Sequence, residues 1–265
     1  MLSIRTLAIG WGTLLVMWSL LTSVVRPSEY LIATPPQVAA YAAEHRELLQ
    51  EALLVTTSQA VAGWVLAIIF GVALGALIFY GGLVRQVALP IVLAVQTTPV
   101  IALVPLVTLW LGFGWVAKTV VSCIVAVLPV ILATLSGLAE PKPNHLLLFH
   151  TAEVGKWRTF LHLRLPSAVA IITPAANTAV VLAVVGSLVS ELMGGSSGLG
   201  FLILKGVSTG QSQLLLASAL LAAVLGQVLL LILQVITKAG LQRWNSDRRV
   251  VEGGLNGAAG NFRGV

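Results

Sequence analysis

Six apolar runs, each near the ~20 residues that one helical crossing of a hydrocarbon core requires, leave this chain few folds to choose from. They lie at about Thr6–Val25, Ala60–Tyr80, Val87–Trp110, Thr119–Leu138, Ser167–Met193 and Leu214–Ile236. Charged residues make up 9% of the chain, against about 25% in an ordinary soluble domain. Mean hydropathy is +1.00, so too little polar surface exists to cover a soluble core. The expected fold is all-α, a polytopic membrane protein with about six transmembrane helices.

The polar segments between the runs define three regions. Residues 1–58 combine the first span with an amphipathic segment expected on the periplasmic side. The first run is longer than a signal-peptide core and no A-x-A site precedes Arg26, so an uncleaved span is expected. Pro35-Pro36 interrupts the polar stretch after Arg26, and Val38–Leu54 then reads as an interfacial helix carrying Glu44, His45, Arg46, Glu47 and Glu51. Residues 59–240 hold the other five runs. Residues 241–265, Gly-rich after Val251, form a tail expected to be cytoplasmic and disordered.

Within the core, Gly71-x-x-x-Gly75 offers a small-residue face for close helix packing. The third run carries Pro90, Pro99 and Pro105 with Gln96, Thr97 and Thr98. Prolines free backbone carbonyls, which lipid does not tolerate, so this span is expected to face the protein interior. Asn177 and Glu191 are the notable polar residues of the fifth run. An acid near a span end must be paired or wet, and the Gly-rich turn Gly194–Gly200 just after it is one source of partners.

A basic island, Leu146–Pro166, separates the fourth and fifth runs. With both termini placed inside, eleven Lys and Arg residues fall on the inner side and four on the outer. The positive-inside rule then puts the island in the cytoplasm. Net charge is +6, but no basic stripe with interleaved aromatics suggests nucleic acid. Cys123 stands alone in an apolar run, and no His/Cys cluster has metal-ligand spacing. No cofactor is expected.

Three ordered stretches resemble the permease subunit of bacterial ABC importers, with the MetI-like fold. They are Gln96–Gly114 running on to Pro129 and Ser136-Gly137-Leu138, the island itself, and Ser190–Ile203. The nearest branch is that of the nitrate, sulfonate, taurine and pyrimidine-precursor permeases. The resemblance covers about residues 55–240 and places the island, with residues 140–166, at the family's Glu-Ala-Ala coupling loop. It departs from that pattern: Leu147-Leu148-Phe149 stand at the Glu-Ala-Ala positions, and Glu153 stands where the family has glycine, with Gly155 two places late. Trp157, Thr159, Phe160, Leu165 and Pro166 still match, so a helix-turn-helix with reshaped ATPase contacts is expected.

The resemblance implies a homodimer or pseudo-dimer of permeases in a bacterial inner membrane. It also implies a pair of cytoplasmic ATPases and an external solute-binding protein, periplasmic or lipid-anchored. The chain is not expected to be an enzyme, having no G-x-x-x-x-G-K-[ST] phosphate loop of its own. Coupling would rest on Glu153, Gly155, Lys156, Trp157, Arg158, Phe160 and Pro166, with Trp157 and Phe160 as apolar knobs and Lys156, Arg158 and Arg164 at the rim. Equally, the two aromatics could pack on their own bundle. Gln96, Thr97, Thr98, Pro99, Asn177 and Glu191 are the translocation-path or gate candidates, and helix-to-helix bonding is their structural alternative. An ion-driven secondary transporter or an uncoupled permease paralogue is the rival function. It would need intramembrane ion ligands, and Glu191 is the one acid within a run. An intramembrane enzyme would need a nucleophile and base in the spans. No histidine lies in one, and Cys123 has no evident partner.

Overall fold

The computed structural model describes residues 4–25, 32–141, 151 and 155–261. At several positions, including Gln96, Thr97 and Lys156 and all those after Lys238, only the backbone is described. The architecture is all-helical among the described residues: α1 (Ile4–Val25), α2 (Pro35–Glu44), α3 (Arg46–Tyr80), α4 (Gly82–Thr97), α5 (Val100–Leu111), α6 (Trp115–Ala139), α7 (Lys156–Thr159), a π-turn (Phe160–Arg164), α8 (Leu165–Gly194), α9 (Leu199–Ser208) and α10 (Ser212–Asn261). Four of the helical stretches are long and apolar enough to cross a membrane: Arg46–Tyr80, Trp115–Ala139, Trp157–Gly194 and Ser212–Lys238. The other two expected spans correspond to the 22-residue α1 and to α4 with α5.

Three element boundaries differ from the expected ones. The amphipathic segment and the second span are not separate. His45 ends α2, and α3 then runs unbroken for 35 residues, about 52 Å at 1.5 Å per residue, well beyond a ~30 Å hydrocarbon core. The polar stretch Val55–Gln59 does not interrupt it because its hydroxyls bond back to their own helix: Thr57 Oγ1 to the Leu53 carbonyl at 2.6 Å and Ser58 Oγ to that of Val55 at 2.8 Å. The third span is two helices. Pro99 has no N–H and bars Thr98 from helical geometry, so α4 stops at Thr97 and α5 restarts at Val100. Finally, α10 continues through the Gly-rich tail to Asn261, with no proline to stop it.

Helix α6 is the centre of the bundle. Glycines spaced along α3 let it approach α6 closely. A methyl group on Gly71 would stand 2.6 Å from Val130 Cβ, and one on Gly75 would stand 2.6 Å from Thr134 Cβ. One on Gly63 would overlap Ser122. From the other side Gly186 of α8 sits against the Ser122 backbone, and Gly137 of α6 sits against Ala168 of α8. Lipid tails are as apolar as leucine, so burial does not drive these contacts; close packing and interhelical hydrogen bonds do. Ser122 Oγ donates to the Ala183 carbonyl at 2.7 Å, Ser187 Oγ to Gln59 Oε1 at 2.9 Å, and Trp64 Nε1 to the Ala176 carbonyl at 3.0 Å.

The proline-rich pair covers one side of this core. Among the described side chains of the pair, those buried lie on α5's inner face, where Val104 and Val107 meet Ala117 and Val121 of α6. Val87, Ile91, Ile101, Leu109 and Trp110 open outward, so within a single chain the third run lines the interior only in part. The packing makes a direct prediction. Gly71→Val should destabilise the protein by about 1–3 kcal/mol, the usual cost of overpacking. Gly10→Val, where nothing lies within 4 Å, should leave it unchanged. Thermal unfolding of the purified chain in lipid nanodiscs measures both.

Candidate functional site

The sites expected from sequence lie at opposite ends of the bundle. At one end are the C-termini of α3 and α6 and the start of α8. Here α7 begins after Gly155, whose carbonyl accepts the Thr159 N–H at 3.0 Å. The sequence suggests a short helix closed by Leu165-Pro166. Instead the chain passes from α7 into α8 without a break. Pro166 cannot donate to the His162 carbonyl and its ring crowds that group. The backbone widens to accommodate it, and Leu165 N–H reaches the Phe160 carbonyl across a π-turn.

This geometry divides the predicted coupling residues. Trp157 is 69% exposed and stacks on Phe160 at 5.6 Å between ring centroids. Phe160 is half-buried and meets Tyr80 of α3 edge-on at 5.9 Å. An apolar groove of about 560 Å³ lies between these aromatics and Ala73, Ala76 and Leu77. Gly155 and Arg158 are exposed and Pro166 is half-buried. Glu153 lies outside the described residues, as does the stretch at the Glu-Ala-Ala positions. Arg164, expected at an open rim, turns inward: Nη1 donates to the Leu138 carbonyl at 2.6 Å, and Cζ stands 5.0 Å from the centre of the Phe79 ring.

At the other end, the turn after α8 wraps around Glu191, which has no exposed surface. Gly200 N–H donates to Glu191 Oε2 at 2.8 Å. Thr56 Oγ1 donates to the same carboxylate at 2.9 and 3.0 Å and accepts the Leu199 N–H at 2.9 Å. Glu191 and Thr56 thus cap the N-terminus of α9 from two other helices. The unpaired N–H groups and partial positive charge of that terminus suit a carboxylate. Gly198 has φ +102°, and a side chain there would run into the carboxylate. Lys118 of α6, 4% exposed, donates from Nζ to the Ser197 carbonyl at 3.4 Å and interacts electrostatically with Glu191.

The remaining path candidates do not converge on Glu191. Asn177 is fourteen residues away on the same helix, about 21 Å along its axis, and its Oδ1 is buried with no hydrogen-bond partner among the described residues. Thr98 is exposed at the α4–α5 break with its hydroxyl on the Ala94 carbonyl at 3.2 Å, and Pro99 is exposed beside it. Gln96 and Thr97 lie in α4, and their side chains fall outside the described residues. A cavity of about 530 Å³ separates α5 from the end of α8, lined by Val104, Pro105, Thr108, Leu109, Phe113 and Met193 among others. Sequence reasoning missed Thr56, Lys118 and the inward role of Arg164. Each acts on a backbone group far away in sequence, at the end of a helix or in the turn before one, and has no local motif to announce it.

Three comparisons bear on this arrangement. The family described as "Binding-protein-dependent transport system inner membrane component" matches residues 67–245. The chain is 31% identical over 210 residues to a probable ABC transporter permease protein of Haemophilus influenzae, covering 79% of this chain and 86% of that one. It is 31% identical over 189 residues to the formylaminopyrimidine transport permease protein ThiX of Halalkalibacterium halodurans, covering 71% and 75%. Among solved structures it superposes on a chain of the inward-facing MetNI methionine ABC transporter. There the TM-score is 0.64 and the identity 17%, with 74% of this chain and 97% of that one covered; at that identity the likeness is one of fold.

The turn makes the next prediction. Thr56→Val removes the acceptor of a buried N–H and a donor to a buried carboxylate, and should cost about 1–3 kcal/mol. Gly198→Ala should be at least as damaging, because it adds a left-handed strain to a steric clash. Thr57→Val, whose hydroxyl serves only its own helix, is the neutral control in the same unfolding assay.

Proposed function

The chain belongs to the family of binding-protein-dependent transport system inner membrane components, the membrane permeases of ABC importers, and from that premise we propose how its two ends divide the work. Two copies form the translocation path for a small polar solute of the nitrate, sulfonate, taurine or pyrimidine-precursor type. A solute-binding protein delivers the solute at the Glu191 end. A pair of ATPases engages the Gly155–Pro166 end. Both termini lie in the cytoplasm.

The observation that carries this reading is the placing of the basic segment. Its aromatic Trp157 stands exposed at the end of the bundle where α3 and α6 terminate. The opposite end holds the enclosed turn. Charge supports the orientation, eleven Lys and Arg residues against four. Relatives support the solute class: besides ThiX, a Bacillus subtilis relative is named a putative aliphatic sulfonates transport permease protein and one from Leptolyngbya laminosa a nitrate import permease protein.

In this reading Trp157 is the knob that enters the ATPase, since exposed aromatic and Arg residues are the usual anchors of an interface. Arg158, Lys156, Gly155 and Glu153 are the other contact residues assigned to the ATPase in this reading. Phe160 and Pro166 act one step further in, where the segment meets α3 and α8. The outward-facing residues of α4 and α5 form part of the seam with the second copy. Gln96, Thr97, Thr98 and Pro99, at the α4–α5 break, and Asn177 of α8 border the path. Glu191 holds the external turn in shape for the binding protein. ATP-driven closure of the ATPases then rocks the helices between inward-open and outward-open states, a rigid-body switch.

Co-expression with a cognate ATPase tests the reading. Trp157→Ala should weaken the complex by about 2 kcal/mol, roughly thirtyfold in affinity, and lower ATP hydrolysis in lipid. An ATPase that binds both forms equally would remove Trp157 from the interface.

A further inference from the structure

Arg164 lies where three helix ends meet, and its two contacts are on two different helices. The carbonyl of Leu138 is among the last in α6, which ends at Ala139, and such groups have no partner in their own helix. Leu138 is 1% exposed, so water is a poor substitute. The guanidinium supplies a charge-assisted bond of 2.6 Å at a terminus whose dipole favours a cation. Its face also covers the ring of Phe79, at the C-terminal end of α3, a cation–π contact. Arg164 is the final residue of the π-turn. A π-turn inserts one residue into the helical register, re-aiming the side chains that precede it relative to those of α8. That offset turns Phe160 toward Tyr80 while Arg164 reaches α6. Directly beneath, a side chain on Gly137 would stand 2.7 Å from Ala168 Cα, so α6 and α8 are already in backbone contact there.

From this geometry we propose that Arg164 is a positioning residue: it clamps the coupling segment to the ends of α3 and α6, so that a pull on the segment moves three helices as one body. The proposal rests on the assignment of the segment as the ATPase handle, but the clamp itself exists without an ATPase. A π-turn beside a proline is a weak point in a helix. Without the clamp, force applied at Trp157 would bend the chain at Phe160–Arg164 and α6 would not move with it. With it, the bend is closed off by contacts on both sides.

The test uses the full chain with Cys123→Ser, spin labels at Ser136→Cys in α6 and Leu161→Cys in the π-turn, and pulsed dipolar distance measurement in lipid nanodiscs. In the otherwise unaltered chain a single narrow distance is expected. Arg164→Gln should populate a second, longer distance, with the detached form rising about tenfold, the equivalent of one charge-assisted hydrogen bond. Arg164→Lys, which keeps the charge and a donor, should restore most of the narrow population, a rescue that a purely space-filling role would not give. Phe79→Leu should fall between them, and it tests the clamp even if Arg164→Gln fails to fold. With the ATPase added and the complex trapped with ATP and vanadate, the distance should stay fixed in the unaltered chain and shift in Arg164→Gln.

A single unchanged distance in Arg164→Gln, alone and trapped, overturns the clamp. So does an Arg164→Lys chain that behaves like Arg164→Gln. If no ATPase binds even the unaltered chain, the handle assignment falls, while the measurements on the chain alone still decide the clamp.

Discussion

Helix α6 must come within backbone contact of two neighbours at once, and the rest of the bundle is built around that requirement. Gly63, Gly71 and Gly75 admit it on the α3 side, and Gly186 and Gly137 mark the close approaches with α8. Lipid offers no hydrophobic gain for bringing helices together, so short distances and shared hydrogen bonds must supply the cohesion. Small side chains make both possible. They bring Ser122 within 2.7 Å of the Ala183 carbonyl, a bond that bulkier neighbours would hold apart.

A rigid middle of this kind makes the two ends mechanically continuous. Each end is fastened by side chains from one helix bound to backbone groups of another. At one end Thr56 and Glu191 hold the N-terminus of α9, and Lys118 reaches the Ser197 carbonyl in the turn before it. At the other end Arg164 holds the C-terminus of α6. Both are helix termini, whose unpaired groups would be costly in a dry interior. The same bonds that satisfy those termini tie α3, α6 and α8 together, so a displacement at one end has a path to the other.

Much of this is legible in the residues. Apolar run length specifies the all-helical membrane fold, and Gly71-x-x-x-Gly75 marks a close-packed face that the structure places against α6. Glu191 stands out as an acid that must be paired or wet, with the Gly-rich turn as one source of partners. Other features cannot be read. Thr56 is 135 residues from Glu191 and resembles part of a polar break between two helices. Whether a threonine interrupts a helix or points inward from an unbroken one depends on what packs against it. Arg164 resembles one more rim charge because its partner is a carbonyl, invisible in any pattern of side chains. Pro166 announces a break, but a π-turn can absorb a proline when flanking contacts hold the helix in line.

If the segment around Trp157 is where a cytoplasmic ATPase takes hold of this permease, site-specific cross-linking in native membranes should capture the two together. Cys123→Ser with Leu161→Cys, at a position 38% exposed on the same segment, gives a single reactive thiol beside the proposed contact and keeps Trp157 in place. A cross-linked product containing the ATPase is expected, its yield changing when ATP and vanadate are added. A thiol that reacts freely with a membrane-permeant reagent, but joins the chain to no ATPase in any nucleotide state, would contradict the assignment.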